Sequence, residues 1–132
     1  MDYAISVRHE GELNFTADNG RSSTSITWGP EDGAWMATEL FLAGLGSCML
    51  ATMADYAHSN GIDLTGASVR VAAESAVRPV RMATIDVVYT LPEGLTEQQK
   101  DALIRAGNRC KVHNTIEHHP TFAVRAAAPA AS

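Results

Sequence analysis

The hydrophobic positions of the chain concentrate in one long stretch near its middle. Residues 38–61, TELFLAGLGSCMLATMADYAHSNG, place large apolar side chains on more than one helical face, which predicts a long and mostly buried helix. Thr38 is the expected N-cap, and Asn60-Gly61 supplies a residue that tolerates a positive φ at the C-terminal end. We therefore expect the other elements to be arranged around this helix.

Small residues make the same helix thin. Gly44 and Gly46 lie in its interior, where each glycine costs about 1 kcal/mol relative to alanine. Such a cost needs a reason in packing or in access to a neighbouring group. Because both glycines closely precede Cys48, we expect them to give access to its sulfur or room for a packed neighbour.

Shorter segments before and after the helix alternate between apolar and polar residues, a pattern typical of strands. This pattern predicts five strands, at residues 3–8, 12–16, 22–28, 67–75 and 81–91. Asn19-Gly20 is a turn signal between the second and third, so the first three strands form a meander. The last two form a hairpin that turns around Arg78-Pro79.

Sequence signals in the C-terminal third of the chain predict a second helix. Thr96, followed three residues later by Gln99, has the spacing of a capping box, and Gly107-Asn108 interrupts the apolar stripe that follows. A further helical turn can hold CKVHNTI, residues 110–116. A last short strand is expected at 121–126.

Runs of strands and helices, rather than strict alternation, favour an α+β fold over a parallel doubly wound sheet. We predict a single domain over residues 1–132, which begins with the meander and a loop at 1–36. A core of two helices, the hairpin and the last strand follows at 37–126. The low-complexity end of the chain, 127–132, is expected to be a disordered tail.

Composition narrows the classes of function. With 132 residues, 45% of them hydrophobic, the chain is long enough to bury a core. A net charge of −5 and scattered Lys and Arg residues argue against nucleic-acid binding, because phosphate contacts need a basic surface. The longest apolar stretch, 41–54, is too short and too rich in Gly, Ser and Thr for a bilayer, and no signal-peptide pattern precedes it. We therefore expect a cytoplasmic protein with no membrane or nucleic-acid partner.

The two cysteines, Cys48 and Cys110, are the candidate reactive residues. In a reducing cytoplasm such a pair is more typical of chemistry or core filling than of a structural disulfide. Cys48 alone, in a helix interior, is well explained as a small buried apolar residue. Cys110 follows Arg105 and Arg109, and positive neighbours lower the pKa of a thiol. The pair therefore predicts thiolate chemistry, with two buried inert thiols as the alternative.

The five histidines do not predict a metal site. His118 and His119 are adjacent, so their side chains diverge and cannot both reach one ion. A zinc ion held by Cys48, Cys110 and His113 would have the three protein ligands of a catalytic site, but the sequence offers no groups to orient them. We expect His113 to form hydrogen bonds at a helix junction, and we predict neither a metal nor another cofactor.

Several of these motifs occur together in one known family. The runs ELFLAGLGSC at 39–48, GIDL at 61–64, LPEGLT at 91–96 and CKVHNT at 110–115 resemble the OsmC/Ohr family of thiol peroxidases. The resemblance covers roughly residues 36–126. It implies an OsmC-like fold, in which antiparallel sheets wrap around long central helices in an intertwined homodimer.

The same resemblance implies the chemistry of the two cysteines. Cys48 would reduce an organic hydroperoxide, or hydrogen peroxide, and become a sulfenic acid that Cys110 resolves as a disulfide. An external dithiol, such as a lipoyl protein or a thioredoxin-like protein, would restore both thiols. The alternative is an OsmC-fold dimer that binds a small apolar or electrophilic ligand, or acts as a redox sensor, with little peroxidase turnover.

The residues that would activate Cys48 depart from the family's pattern. Better-known peroxidases of the family carry a glutamate ten positions before the first cysteine, where this chain has Thr38, and Glu39 stands nine before. On a continuous helix Glu39 is about 13 to 14 Å away along the axis and half a turn out of phase. We therefore expect Glu39 to be a helix-start charge and peroxide reduction to be slow. The resemblance implies an arginine from the N-terminal strands, where Arg8 and Arg21 are the candidates.

Overall fold

The helices and strands follow the predicted order, apart from the last strand, in a computed structural model that describes residues 1–129. Within that range the elements are β1 Ser6–Gly11, β2 Asn14–Asp18, β3 Ser23–Thr27, α1 Ala37–Ser59, β4 Ser68–Val77, β5 Val80–Thr90, α2 Glu97–Gly107 and α3 Lys111–Glu117. Strands β1, β2 and β3 form an antiparallel sheet in sequence order, and β4 and β5 form an antiparallel hairpin. The predicted α+β architecture is therefore confirmed.

The long helix α1 begins at Ala37 rather than after Thr38. Met36 is the N-cap, in an extended conformation, and the Glu39 carboxylate accepts a hydrogen bond from its backbone N–H at 2.8 Å. Thr38 lies inside the first turn, so the prediction that it caps the helix is wrong. The carboxylate at the third helical position satisfies the N-cap amide instead. At the other end the prediction is confirmed, since Asn60 is the C-cap and Gly61 has a φ of +68°.

One face of α1 forms the centre of the core. Its buried residues lie one, three or four positions apart and are Leu45, Gly46, Met49, Met53 and Ala57. Side chains of β4, β5 and α3 pack around a cluster centred on Leu45, Met49 and Cys110. A second cluster joins α1 to α2 through Met53 and Leu103.

Gly46 allows strand β4 to approach the helix closely. A Cβ at this residue would lie 2.9 Å from Cγ2 of Val71 and 3.4 Å from Cγ1 of Val69. At Gly44 a Cβ would meet no atom of another element within 4 Å. Packing is therefore the reason for glycine at position 46, and access to sulfur is not required to explain it.

Helix α1 is long and apolar enough, by length and composition alone, to cross a membrane. It has 23 residues, and its most apolar window has a mean hydropathy of 1.4. The helix is longer than the apolar stretch 41–54, because it continues beyond that stretch at both ends. The buried face of α1 lies in the two apolar clusters, so we assign it as a core helix.

The N-terminal meander lies outside both clusters. Its strand bounds differ from the predictions by up to three residues, whereas the turn at Asn19-Gly20 is confirmed. The Asn19 side chain accepts hydrogen bonds from the N–H groups of Arg21 and Ser22, both at 2.9 Å. More than half of the surface is exposed at three apolar residues here, Ile5, Val7 and Leu13. The single chain therefore leaves apolar surface of this sheet uncovered.

The prediction of a strand at 121–126 is wrong. Residues 119–129 form no regular element, and none of the sheets in the described range includes them. Phe122 and Val124 are 82% and 90% exposed. A strand needs hydrogen bonds from a neighbouring strand, which alternation in the sequence cannot supply. Of the predicted tail at 127–132, residues 130–132 lie outside the described residues.

Helices α2 and α3 are separated by a short break that holds the second cysteine. The capping box of α2 is confirmed, because Thr96 Oγ1 accepts from the Gln99 N–H at 3.0 Å and the Gln99 side chain accepts from the Thr96 N–H at 2.9 Å. Helix α2 ends at Gly107, with Asn108 as its C-cap. Cys110 then serves as the N-cap of α3. The predicted helical turn and its interruption are therefore both present.

Candidate two-cysteine site

The fold brings Cys48 of α1 and Cys110 of the α2–α3 junction together. Cys48 is half-buried and packs against the cluster that contains Cys110, which is only 1% exposed. Both are free thiols. Cys48 is one of the causes of the raised pKa of Cys110, as expected for two thiols that lie close together. One thiol is therefore accessible from outside while the other lies directly behind it.

Burial keeps the Cys110 thiol protonated. Desolvation is the largest influence and raises the pKa of Cys110, and the negative charge of Cys48 acts in the same direction. Backbone N–H groups of His113 and Val112 oppose this shift, and the His113 N–H lies 3.2 Å from Cys110 Sγ. A buried, protonated thiol is suited to attack a neighbouring oxidised sulfur rather than to meet a soluble oxidant first.

Lys111, which the sequence prediction missed, carries a positive charge that interacts with the charge of Cys48. Its ammonium group donates to the Tyr3 hydroxyl at 2.8 Å and lies 5.0 Å from the centre of the Tyr3 ring. The Tyr3 hydrogen bond is the main cause of the raised pKa of Lys111, and the charge of Cys48 adds to it. The sequence signal for Lys111 is its position directly after Cys110, whereas the family resemblance implies an arginine.

The structure does not bring the expected activating residues to Cys48. The Arg8 guanidinium pairs with Glu10 at 2.7 Å, and its side chain is 72% exposed. Arg21 lies in the turn between β2 and β3, in the meander that contributes nothing to the cysteine cluster. Glu39 bonds to the backbone at the start of α1, as expected for a helix-start charge.

His113 links the two helices around Cys110, as predicted. Its Nδ1 lies 3.0 Å from the Asn108 carbonyl oxygen, at the end of α2, and its Nε2 lies 3.3 Å from the Glu117 carboxylate of α3. Both ring nitrogens therefore have partners other than the two sulfurs. Within residues 1–129 no group of three or more His, Cys, Asp or Glu side chains is placed to hold a metal ion.

Two of the cavities that border α1 have mainly apolar walls. The larger is an open groove of about 640 Å³ between α1 and β4, lined mainly by apolar side chains such as Trp35, Leu50 and Val69. The second, of about 380 Å³, is more enclosed and lies between α1, β5 and α3. Leu45 and Met49 form part of its wall, so it adjoins the cluster that contains Cys110. Apolar space of this size near a thiol suits small apolar molecules.

Comparison with solved structures places the chain among proteins of one fold. An OsmC-like protein from Mycoplasma pneumoniae is 20% identical, with a TM-score of 0.80 over 90% of this chain and 91% of that one. An organic hydroperoxide resistance protein from Elizabethkingia anophelis is also 20% identical, with a TM-score of 0.65 over 90% and 91%. One from Legionella pneumophila, again 20% identical, has a TM-score of 0.62 over 89% and 92%. At this identity the similarity shows the fold alone.

No functionally curated protein matches the sequence. The sequence profile of the OsmC-like protein family matches residues 29–125, which include both cysteines, α1, the hairpin and the two C-terminal helices. That range covers well over half of the chain. The protein therefore belongs to the OsmC-like protein family, whose members include organic hydroperoxide resistance proteins.

Proposed function

We propose that this protein is a cysteine-based peroxidase that reduces organic hydroperoxides through Cys48 and resolves the product with Cys110. The observation that carries the proposal is the geometry of the pair, a half-buried thiol packed against the cluster that contains a fully buried one. A peroxide-related redox role agrees with the names of two proteins of the same fold.

The proposed cycle uses each sulfur once. The Cys48 thiolate attacks the terminal oxygen of the hydroperoxide, so the O–O bond breaks, Cys48 becomes a sulfenic acid, and the alkoxide takes a proton and leaves as an alcohol. The Cys110 sulfur then attacks the Cys48 sulfur. Its proton goes to the departing hydroxide, which leaves as water, and a disulfide forms. An external dithiol, such as a lipoyl protein or thioredoxin-like protein, reduces that disulfide and is itself oxidised.

Lys111 supplies the positive charge that favours the Cys48 thiolate in this proposal. An opposite charge close to a thiol favours its ionised form, and a lysine can do this without the planar geometry of an arginine. Tyr3 limits the freedom of the Lys111 side chain through a hydrogen bond and contact with its ring. Since the ammonium group is exposed, solvent and salt weaken its effect. This agrees with the expectation that peroxide reduction is slow.

The proposed active form is a homodimer. Large apolar side chains remain exposed in the meander and after α3, including Ile5, Val7 and Phe122. The outward face of α1 also consists of small exposed residues, namely Ala43, Ser47, Ala51 and Ala54. A second copy of the chain would cover surface that a monomer leaves in water.

Two substitutions test the peroxidase directly. Cys48→Ser should abolish consumption of cumene hydroperoxide, because it removes the attacking sulfur. Cys110→Ser should allow one turnover and then stop at the Cys48 sulfenic acid, which a dimedone adduct reports in the mass spectrum. The wild-type protein should lose both free thiols per chain after one equivalent of peroxide. Equal consumption by both variants and wild type would refute the two-cysteine mechanism.

Binding of a small apolar or electrophilic ligand with little turnover is the second candidate. The groove of about 640 Å³ favours it, as its walls are apolar and open to solvent beside Trp35. In this case a hydrophobic fluorescent probe should bind the reduced protein and be displaced by the ligand, while peroxide leaves both thiols intact. Loss of the two thiols at low peroxide concentration favours the peroxidase instead.

A further inference from the structure

The hydroxyl group of Tyr89 is buried without a hydrogen-bond partner next to the second cysteine. Tyr89 lies on β5, and its ring packs against the cluster centred on Leu45, Met49 and Cys110. Within residues 1–129 its hydroxyl is the one buried side-chain nitrogen or oxygen without a partner. An unpaired buried hydroxyl costs stability, so its presence calls for an explanation in function or chemistry.

Gly107 makes room for this hydroxyl. A Cβ at residue 107 would lie only 2.6 Å from the Tyr89 oxygen, so any larger residue would displace the ring. Gly107 ends α2 three positions before Cys110, so the Tyr89 hydroxyl lies at the same helix junction as the Cys110 sulfur. Burial is the main cause of the raised pKa of Tyr89, and the charge of Cys110 is the second.

We propose that the Tyr89 hydroxyl donates a hydrogen bond to the Cys110 sulfur when that sulfur is a thiolate, and so positions the second cysteine. In the thiol form the sulfur is a weak acceptor that already faces the His113 N–H, which leaves Tyr89 unpaired. A thiolate accepts several donors and holds them more strongly, so a small shift of the Tyr89 ring toward the sulfur is then favourable. Tyr89 is a positioning residue, since it acts through Cys110.

The groups that face the Cys110 sulfur are few. Cys48 approaches from α1, Tyr89 from β5, and the N–H groups of Val112 and His113 from α3. Cys48 is the only one of these that opposes the thiolate by its charge. Replacing Cys48 with alanine therefore leaves a single thiol whose ionisation depends mainly on burial, the two N–H groups and Tyr89.

The thiolate of Cys110 forms when the disulfide is reduced, and this part of the inference rests on the proposed function. A thiolate of the external dithiol attacks the Cys48 sulfur, the disulfide bond breaks, and its electron pair leaves on Cys110. The second thiol of the reductant then gives its proton to Cys110 and attacks the mixed disulfide, which releases the reductant as a disulfide and Cys48 as a thiolate. A donor from Tyr89 stabilises Cys110 as the leaving group in the first step.

The decisive experiment follows the titration of Cys110 without peroxide or reductant chemistry. In Cys48→Ala protein labelled with ¹³C-cysteine, the Cβ chemical shift of Cys110 is recorded against pH. Adding Tyr89→Phe should raise the midpoint by about one pH unit, so that about tenfold less thiolate is present at a given pH. Adding Tyr56→Phe, a half-buried tyrosine of the other cluster, should leave the midpoint unchanged.

A merely structural role for Tyr89 predicts a change in thermal stability with no change in this midpoint, and that result would overturn the proposal. Should Tyr89→Phe fail to fold, the same coupling is measured from the other side. Replacing Cys110 with alanine in the Cys48→Ala protein should then lower the midpoint of the Tyr89 Cζ resonance, and an unchanged midpoint refutes the hydrogen bond.

A second measurement tests the consequence for the cycle. The disulfide of otherwise wild-type protein is formed with diamide, and its reduction by dithiothreitol is followed. Tyr89→Phe should slow this reduction about three- to tenfold relative to Tyr56→Phe. A shifted Cys110 titration in a protein that consumes no peroxide would leave the hydrogen bond standing and refute the proposed function. An unchanged Cys110 titration in a protein that does consume peroxide would refute the hydrogen bond and leave the proposed function standing.

Discussion

At the scale of single residues, the two thiols differ in their access to solvent and in their neighbours. Cys110 is 1% exposed and burial raises its pKa, whereas Cys48 is half-buried on α1 and its charge interacts with that of Lys111. The same pair of residues could have been two inert core thiols. In the proposed cycle, these different environments let one sulfur meet a soluble peroxide and the other react only with its neighbour.

Removal of the charge at Lys111 should slow the first chemical step. In a Cys110→Ser background, Lys111→Met is expected to lower the rate of sulfenic acid formation about two- to fivefold, because an exposed charge contributes modestly. Lys111→Arg, which keeps the charge, is the control and should remain close to the parent. The parent rate should also fall as salt is added, while the Lys111→Met rate stays constant. Equal rates and equal salt dependence in both variants would exclude Lys111 as the activating cation.

The raised pKa of Cys110 predicts a loss of stability at alkaline pH. The unfolded chain ionises this thiol near its ordinary pKa of 9.0, whereas the folded protein keeps it protonated to higher pH. The contribution of this thiol to the free energy of unfolding is therefore complete below about pH 9. It is lost as the pH rises through the pKa of Cys110 in the folded protein. Urea unfolding under reducing conditions should show a shallower alkaline decrease for Cys110→Ser than for wild type. Parallel decreases would show that Cys110 does not titrate differently in the two states.

At the scale of elements, the contact between α1 and β4 depends on one missing side chain. Gly46 lies against Val71, and the branched side chain of this valine is stiff. The other glycine in the interior of this helix, Gly44, has no such neighbour in the single chain. Comparing alanine substitutions at these two positions therefore distinguishes the cost of glycine in a helix from the benefit of close packing.

Alanine at these two glycines should have opposite effects on the free energy of unfolding. Gly46→Ala should destabilise by about 1 kcal/mol, since overpacking against Val71 exceeds the gain in helix propensity. Gly44→Ala should stabilise by about 0.5 to 1 kcal/mol through propensity alone. Chemical denaturation of both variants provides the comparison. A stabilised Gly46→Ala would contradict the close approach of β4, and a destabilised Gly44→Ala would indicate a second chain packed at that face.

At the scale of the whole molecule, one chain leaves much apolar surface in water. Trp28 and Val80, for example, are 77% and 86% exposed, and the meander contributes nothing to either core cluster. Isolated apolar residues are normal on a surface, but their number here, together with the small residues exposed on α1, favours the proposed homodimer.

The proposed homodimer should depend on the outward face of α1. Sedimentation velocity at micromolar concentration is expected to show one dimeric species for the wild type. Ala51→Arg should dissociate it, because Ala51 is exposed in the single chain and a charge there is harmless unless another chain covers it. Gln98→Arg, on the exposed surface of α2, is the control. A stable monomer in the wild type, or an unaffected dimer in Ala51→Arg, would contradict this arrangement.

Local signals were enough to predict most elements of the fold. The capping box at Thr96, the turn at Asn19-Gly20 and the positive φ at Gly61 each act within a few residues, so the sequence determines them directly. The start of α1 was misplaced because Thr38 and Glu39 compete as capping signals, and the carboxylate prevails. A strand at 121–126 required a hydrogen-bonding neighbour that no local pattern can provide.

Sequence motifs are enough to identify the family and to single out the two cysteines as the candidate site. The groups that surround these cysteines follow from the packing of the fold. Tyr3 and Lys111 meet across 108 positions of the chain, and Tyr89 reaches the Cys110 junction from the β4–β5 hairpin. Such contacts depend on how elements pack, and packing is set by burial and shape over the whole fold rather than by spacing along the chain.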